Sequence, residues 1–491
     1  MRRDNADVAR GCGQTQSARC YDSPMTVDLH YLSLLDISER IRRRDLSSVE
    51  IVSALLARIA AFEPRLNGFL RVMGDPALAD AMRADAELGR GQWRGPMHGV
   101  PIGIKDLIDV AGVPTTSGTE IMKDRVPAAD ATIVGRLKRA GAIVIGKTHM
   151  TEAATLDHHP TYKRPDNPWK SGFWTGVSSS GSGVSVAAGF CYGALGSDTG
   201  GSIRMPSSAC GLSGIKPTWG RVSRQGVFPL AESFDHIGPM CRTAADAAAM
   251  LQIIAGQDPA DPTALTAPVP DYAADLSAGI GKLRIGVDWS LLEDRVDTAV
   301  ADSIRRAAVT FELLGAHLRD VALPPIAEPM AAVAPLMMAE IRSAHADTYP
   351  RHADRYGPAL SRMLAQGEAL GAIDVARALQ ARIVWNGRLR RLFDEIDILL
   401  VPAAPGPTPR CEELDAMQGD AGALMDRISR YTMPFNVSGS PTLSLPCGFD
   451  CNGMPLGLQL VGPHLSEALL CRAGHAFQQA TDFHTAHPVL E

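Results

Sequence analysis

Hydrophobic and polar positions follow two different periods along the chain, and these periods predict helices and strands that alternate. Residues 48–62 place apolar side chains at helical spacing behind a Ser-x-x-Glu capping box. Short apolar runs within 98–112 and 394–405, and the run Ala142–Ile145, are instead typical of buried strands. Because strands alternate with helices, the sequence predicts an α/β fold with a large mixed β-sheet covered by helices on both faces.

The order of these elements favours one large domain. Residues 1–25 contain no apolar run and are expected to form a flexible N-terminal extension, with the folded protein starting near Met25. The stretch 257–281, rich in proline and alanine, is interpreted as a surface connection, because strands and helices continue after it. We therefore expect a single domain over residues 26–491.

Composition narrows the class of protein. The 491 residues are 45% hydrophobic and 21% charged, with a net charge of −6 and no long basic run, so a nucleic-acid partner is not expected. The sequence has no run of 18 uninterrupted apolar residues and so indicates no transmembrane helix. The nine cysteines lack paired Cys-x-x-Cys spacing, which indicates reduced thiols in a cytoplasmic protein. Neither a metal site nor a cofactor is expected.

Three short motifs carry residues suited to nucleophilic chemistry. Lys105 ends an apolar strand, where burial would lower its pKa from about 10.4 towards neutrality. The run Ser178–Ser180 precedes a predicted helix, and Ser202 follows 24 residues after Ser178, behind two adjacent glycines. Alone, each motif has a structural interpretation, as a strand-end lysine, a capping loop or a tight turn. Together they match a serine nucleophile activated by a neutral lysine through an intermediate hydroxyl.

Two other motifs are set aside. Residues Gly141–Thr148 match the P-loop pattern GxxxxGK[ST], but a helix precedes the first glycine and a β run separates the glycines, the reverse of what phosphate binding needs. His236 is a candidate base for a Ser/His/Asp hydrolase, but the nucleophile-elbow pattern GxSxG is not found around the candidate serines. A histidine held by local hydrogen bonds is the better interpretation of this residue.

The same motifs resemble the amidase signature family of serine hydrolases. The resemblance rests on "GVPIGIKD", "GVSSSGSGVSVAAG" and "ALGSDTGGSIRMPSSACGLSGIKPTWGRVSRQGVF", and it continues in "NVSGSPTLSLPCGF" near the C-terminus. It extends from about residue 30 to 485 and is strongest over 95–245 and 430–465. It implies an α/β/α sandwich around a large mixed sheet, with the catalytic core at about 95–245.

The resemblance also implies a Ser–cisSer–Lys triad. By position, Ser202 is the nucleophile, Ser178 the bridging serine and Lys105 the general base, and the reaction passes through an acyl-enzyme that water hydrolyses. A cis peptide bond is implied before Ser178, although Val177 stands where family members often have glycine. Ser179 is expected to support the hydrogen-bond network of the triad.

The glycine-rich loop is expected to stabilise the negative charge that develops on the substrate, since converging backbone N–H groups form an oxyanion hole. Asp198 and Arg204 are expected to orient this loop rather than to react. The expected oxyanion-hole residues are Thr199, Gly200, Gly201 and Ser202.

The substrate is predicted from the residues that precede the bridging serine. The stretch 157–174 is rich in histidine and aromatic side chains, which suits a hydrophobic or aryl substrate beside a catalytic loop. The other interpretation is that these side chains only pack a long loop. The candidate substrate-binding residues are His158, His159, Trp174 and Gly176. We expect a small aryl or hydrophobic amide or carbamate as substrate.

Two alternatives remain open. The first is the glutamine-hydrolysing component of the glutamyl-tRNA amidotransferase (its A chain), which shares much of "KPTWGRVSRQGVF" and needs an arginine, with Arg362 as candidate, for the α-carboxylate of glutamine. The second is an inactive binding or scaffold protein on the same fold, which the presence of all three triad residues disfavours. We expect a stand-alone enzyme for a small molecule, without nucleic-acid or membrane partners and with a homodimer as the possible assembly.

Overall fold

A mixed β-sheet of eleven strands lies at the centre of the described structure. The computed structural model describes residues 28–417 and 420–490, so the predicted extension 1–25 lies outside the described residues. The strands are β1 (Phe69–Val72), β2 (Pro101–Lys105), β3 (Ile143–Thr148), β4 (Gly193–Asp198), β5 (Ser213–Lys216), β6 (His236–Cys241), β7 (Arg284–Val287), β8 (His317–Asp320), β9 (Ile398–Pro402), β10 (Thr442–Phe449) and β11 (Pro455–Val461).

The strand order is β1-β3-β2-β4-β6-β5-β10-β11-β9-β7-β8. Parallel pairs join β3, β2 and β4 near one end and β9, β7 and β8 at the other, and antiparallel pairs join the rest. Every residue of β2, β4 and β6 is buried. Since successive side chains of a strand point to opposite faces, both faces of the central sheet are covered, which confirms the predicted mixed α/β architecture.

Sixteen α-helices surround the sheet in the described part of the chain. They are α1 (Leu34–Arg43), α2 (Ser48–Leu66), α3 (Gly74–Gly89), α4 (Thr132–Arg139), α5 (Ser180–Ala187), α6 (Arg204–Cys210), α7 (Ala244–Ile254), α8 (Trp289–Asp294), α9 (Thr298–Leu313), α10 (Ala327–Ala344), α11 (Pro358–Glu368), α12 (Ala372–Glu395), α13 (Cys411–Ala416), α14 (Ala421–Ser429), α15 (Met433–Val437) and α16 (Glu467–Ala480). Short 3₁₀ segments lie at Leu29–Tyr31, Glu152–Ala154 and Ala353–Arg355. None of the described helices is both long enough and apolar enough to cross a membrane.

Local sequence signals fix where several of these elements begin. The Ser47 hydroxyl accepts from the Glu50 N–H and the Glu50 carboxylate accepts from the Ser47 N–H, which is the predicted capping box of α2. The strand predicted at Ala142–Ile145 is longer than expected and continues through Lys147 to the end of β3. The Lys147 ammonium is buried and pairs with the Asp106 carboxylate at 3.0 Å. The segment that matches the P-loop pattern is therefore a strand, and its lysine forms a buried ion pair.

The sheet topology brings the chemically interesting loops to one edge. β2 and β4 are parallel neighbours, with Ile104 opposite Leu195, so their carboxyl ends meet at the same edge of the sheet. β2 ends at Lys105, and β4 leads into the glycine-rich loop before α6. The remaining serine motif lies directly before α5, which packs against both strands.

Candidate active site

Lys105 is fully buried and is surrounded by serine hydroxyls. Its Nζ lies 2.6 Å from Ser178 Oγ, 2.9 Å from Ser179 Oγ and 2.8 Å from Ser197 Oγ. Burial lowers the pKa of Lys105 to about 7, and the negative charges of two aspartates oppose the shift without cancelling it. The lysine is therefore a base that is poised to hold or release a proton near neutral pH.

A side-chain contact joins Lys105 to Ser178, and a backbone contact joins the serine run to the loop that carries Ser202. The Val177–Ser178 peptide bond is cis, as the resemblance implied. The Ser179 N–H donates to the Ser202 carbonyl at 3.3 Å, which joins the serine run before α5 to the glycine-rich loop before α6. Ser202 is buried, with 7% of its surface exposed.

Ser197 is the member of the network that sequence reasoning missed. It lies in β4, one residue before the glycine-rich motif, and its hydroxyl contacts the Lys105 Nζ from the neighbouring strand. The two residues are separated by 92 positions in the sequence. The available signal was weak, because pairing Lys105 with Ser197 needs the register of β2 against β4.

A buried ion pair between Asp198 and Arg204 stabilises the glycine-rich loop. Asp198 accepts the N–H groups of Gly201 and Ile203 at 2.8 and 3.0 Å. The Arg204 guanidinium donates to both Asp198 oxygens, at 2.9 and 3.0 Å, and to Asn436 Oδ1 at 2.5 Å. Burial alone would raise the pKa of Asp198, but the Arg204 charge and its hydrogen bonds hold that pKa well below its usual range. Asp198 is thus a permanent anion that shapes the loop.

The backbone N–H groups of the loop fall into two sets. The Gly201 N–H donates to Asp198, whereas those of Thr199, Gly200 and Ser202 have no hydrogen-bond partner among residues 28–417 and 420–490. Of the four amides predicted to form the oxyanion hole, that of Gly201 is thus already hydrogen-bonded to the Asp198 carboxylate.

A distant segment packs on the adjacent glycines and requires a glycine at position 201. Gly201 has φ = 132°, and a Cβ there would collide with the Thr432 hydroxyl. A Cβ at Gly200 would lie 2.8 Å from the terminal methyl group of Met433. The Thr432 hydroxyl donates to the Gly200 carbonyl at 2.6 Å, so the loop and the start of α15 are in direct contact.

Two cavities flank the Lys105 network. A cavity of about 130 Å³, here called the Val177 cavity, adjoins the cis peptide. Its lining includes Leu156, His158, Trp174, Val177, Met363, Leu414 and Ile428. A second cavity of about 260 Å³, here called the Ser197 cavity, is lined by Ser197 and by Thr199, whose hydroxyl donates to Asp235 at 2.6 Å.

The four candidate substrate-binding residues divide between cavity and packing. His158 and Trp174 line the Val177 cavity. His159 is not part of that lining, and its Nδ1 lies 2.7 Å from the hydroxyl of Thr161 in the same loop. Gly176 packs so closely on the backbone of α6 that a Cβ would collide with it, at φ = 75°. For His159 and Gly176 the structure therefore favours loop packing over substrate contact.

His236 lies beneath the glycine-rich loop. Its Nδ1 contacts the carbonyls of Phe234 and Asp198 at 2.6 and 3.1 Å, and burial keeps its pKa well below the usual range. This agrees with a histidine held by local hydrogen bonds. Within the part of the chain that the structure describes, no group of three or more His, Cys, Asp or Glu side chains is arranged to hold a metal ion.

Comparisons with known proteins agree with this geometry. The profile of the Amidase family matches residues 50–471. "Putative amidase AmiD" of Mycobacterium tuberculosis is 46% identical over 461 residues, covering 93% of this chain and 96% of that protein. The A chain of the glutamyl-tRNA(Gln) amidotransferase of Roseiflexus sp. is 38% identical over 487 residues, covering 94% of this chain and 99% of that relative.

A solved structure gives the same result. The native peptide amidase from Stenotrophomonas maltophilia is 30% identical, with a TM-score of 0.80 over 93% of this chain and 97% of that chain. The family match and these similarities each span most of the chain. The chain therefore belongs to the amidase signature family, and it is a hydrolase that acts on carbon–nitrogen bonds.

Proposed function

We propose that this amidase hydrolyses the C–N bond of a small aryl or hydrophobic amide or carbamate through an acyl-enzyme on Ser202. Ser178 is the bridging proton shuttle and Lys105 the general base. The observation that carries the proposal is the environment of the Lys105 side chain, which is fully buried and whose Nζ contacts three serine hydroxyls. A lysine in such surroundings is neutral at mildly alkaline pH and has a lone pair to offer.

The hydrogen-bond pattern supports a direction for that lone pair. A neutral amine has two N–H donors and one acceptor site. The Ser179 hydroxyl donates to the Ser197 carbonyl at 3.2 Å, so it accepts from Lys105. Ser197 Oγ accepts the other N–H, since its own hydrogen is free to point into the Ser197 cavity. The lone pair then faces Ser178 Oγ at 2.6 Å, which suits proton transfer from that hydroxyl.

The reaction then follows from the order of these groups. Lys105 takes the proton of Ser178, and Ser178 takes that of Ser202 as the nucleophile attacks the carbonyl carbon. The Gly200 and Ser202 amides stabilise the oxyanion, and each such donor typically lowers the barrier by about 3–4 kcal/mol. The protons return along the same path to the leaving amine, which departs. Water attacks the ester by the same relay and releases the acid.

The Val177 cavity supports the substrate class. Its lining combines apolar side chains, among them Trp174 and Met363, with charged and polar ones, and it adjoins the bridging serine. The charged residues of the lining are Asp157, Arg164, Arg362 and Asp415. The apolar part of this lining suits an aryl or alkyl substituent.

Glutamine hydrolysis is the second candidate, and one observation favours it. Arg362 also lines the Val177 cavity and is exposed. A guanidinium there could bind the α-carboxylate of glutamine. The A chain of the amidotransferase is also among the relatives, at 38% identity.

The test is amine or ammonia release by the purified chain alone. The panel contains an aryl anilide, an aryl carbamate, an aliphatic primary amide and L-glutamine, with Ser202→Ala and Lys105→Ala as inactive variants. Ser303→Ala, which removes a buried hydroxyl in α9, is the matched control and should retain activity. Turnover of an aryl substrate that both variants lose supports the proposal. Turnover of glutamine alone favours the second candidate, and no turnover of any substrate favours a scaffold.

A further inference from the structure

A buried carboxylate outside the Lys105 network ties several parts of the site together. Both oxygens of Glu152 lie 3.0 Å from the Gly357 nitrogen and accept its N–H. Glu152 is 2% exposed, and no cation forms an ion pair with it among residues 28–417 and 420–490. A buried carboxylate without a cation is costly, so this position calls for a specific explanation.

The bond to Gly357 fixes the start of α11. Gly357 is the N-cap residue of this helix and has no side chain to cap it, so the Glu152 carboxylate supplies the negative charge that a helix N-terminus favours. A Cβ on Gly357 would lie 2.5 Å from Glu152 Oε2, so the close approach requires glycine. The first turns of α11 carry Arg362 and Met363, which line the Val177 cavity.

The backbone of the same residue holds a second part of the cavity. The Glu152 N–H donates to the Asp157 carbonyl at 2.8 Å, and residues 156–158 also line the Val177 cavity. The preceding Thr151 N–H donates to the Ser178 carbonyl at 3.2 Å. Residues 151–152 are thus connected to α11, to the 156–158 segment and to the bridging serine.

We propose that Glu152 is a positioning residue that sets the width of the Val177 cavity and so selects amides whose apolar group fills it. The inference rests on the proposed function, because it assumes that the substrate's apolar group occupies this cavity. Glu152 acts through α11 and the 156–158 segment and does not touch the reacting atoms. Loss of the carboxylate lets α11 move away from the bridging serine, which weakens binding of a substrate that needs both walls.

The first test compares Glu152→Ala with Glu152→Gln at pH 8, using an aryl anilide and a small aliphatic primary amide. Burial raises the pKa of Glu152 to about 7, so the group is mostly ionised at that pH. Glu152→Ala should raise the KM of the anilide about tenfold, with its kcat and the kinetics of the small amide changed less than about twofold. Glu152→Gln keeps an oxygen that accepts the Gly357 N–H and should restore the KM.

Two further variants separate cavity width from general destabilisation. Gly357→Ala leaves the carboxylate in place but pushes it away, so it should raise the anilide KM in the same way. Asp246→Ala removes another buried carboxylate, which accepts the Leu35 N–H far from the cavity lining, and it should leave the anilide KM unchanged. Equal losses on both substrates, or an Asp246→Ala effect like that of Glu152→Ala, would overturn the proposal.

A binding measurement keeps this proposal distinct from the proposed function. The Kd of the anilide is measured by calorimetry on Ser202→Ala protein and on the Ser202→Ala/Glu152→Gln and Ser202→Ala/Gly357→Ala double variants. We expect an unchanged Kd for the glutamine variant and a Kd about tenfold higher for the alanine variant at Gly357. An unchanged Kd for both would overturn the role of Glu152. By contrast, anilide hydrolysis that survives Ser202→Ala would overturn the assignment of the nucleophile instead.

Discussion

Replacement of Lys105 by arginine tests the proposed base most sharply. Burial lowers the pKa of Lys105 to about 7, so the fraction of free amine falls about tenfold for each pH unit below 7. Arginine keeps the positive charge and the N–H donors, but it does not lose a proton in proteins. Lys105→Arg should therefore lower kcat/KM on the order of 10²- to 10⁴-fold, the usual contribution of a general base.

The assay is kcat/KM for an aryl amide between pH 5 and 9. Because the neutral amine is the active form, the wild-type value should be level above about pH 8 and fall by about 100-fold from that level to pH 5. Lys105→Arg should show no recovery at pH 9, since its guanidinium stays charged. Circular dichroism establishes that the variant is folded. A wild-type profile that is flat to pH 5, or an arginine variant with more than a tenth of wild-type activity, would refute the lysine base.

Three further predictions concern the surroundings of this base. Ser197→Ala removes one acceptor of the lysine N–H and should lower kcat about tenfold in steady-state assays, and an unchanged kcat would contradict its role. Arg204→Met leaves Asp198 as a buried unpaired anion and should lower the free energy of unfolding by about 3–5 kcal/mol in urea titrations. A decrease of less than 1 kcal/mol would contradict a stabilising role of this ion pair. Gly201→Ala should lower the melting temperature more than Gly91→Ala, because both glycines have positive φ but only Gly201 is in close contact with another side chain. Equal decreases in melting temperature would contradict the role of this contact.

The sequence allowed the local elements of the site to be predicted well. An apolar run that ends in Lys105 predicts a strand with a buried lysine, and β2 ends at that residue. A serine run before a helical pattern predicts a loop at a helix start, and α5 begins at Ser180. Both signals lie within a few residues, where hydrophobic pattern and helix-start preferences act directly.

Contacts between distant segments could not be predicted in the same way. Ser197 meets Lys105 only because β2 and β4 pair in one particular register, which no local pattern encodes. Asn436 meets Arg204 across 232 positions, and Thr432 covers Gly200 across the same separation. The two adjacent glycines indicate an unusual loop conformation from the sequence alone, but which segment packs on them is decided by the tertiary fold.

Burial and the nearby carboxylates together set the pKa of the proposed base. The negative charges of Asp198 and Asp235 both favour the ammonium form of Lys105. Arg204 pairs with Asp198 at 2.9 Å, and Asp235, whose pKa burial raises to about 6, is mostly ionised at neutral pH. Desolvation of the buried lysine nevertheless outweighs both negative charges and favours the free amine. Asp198 thus shapes the glycine-rich loop through its N–H bonds and also acts on the pKa of the proposed base, so loop geometry and basicity depend on the same buried carboxylate.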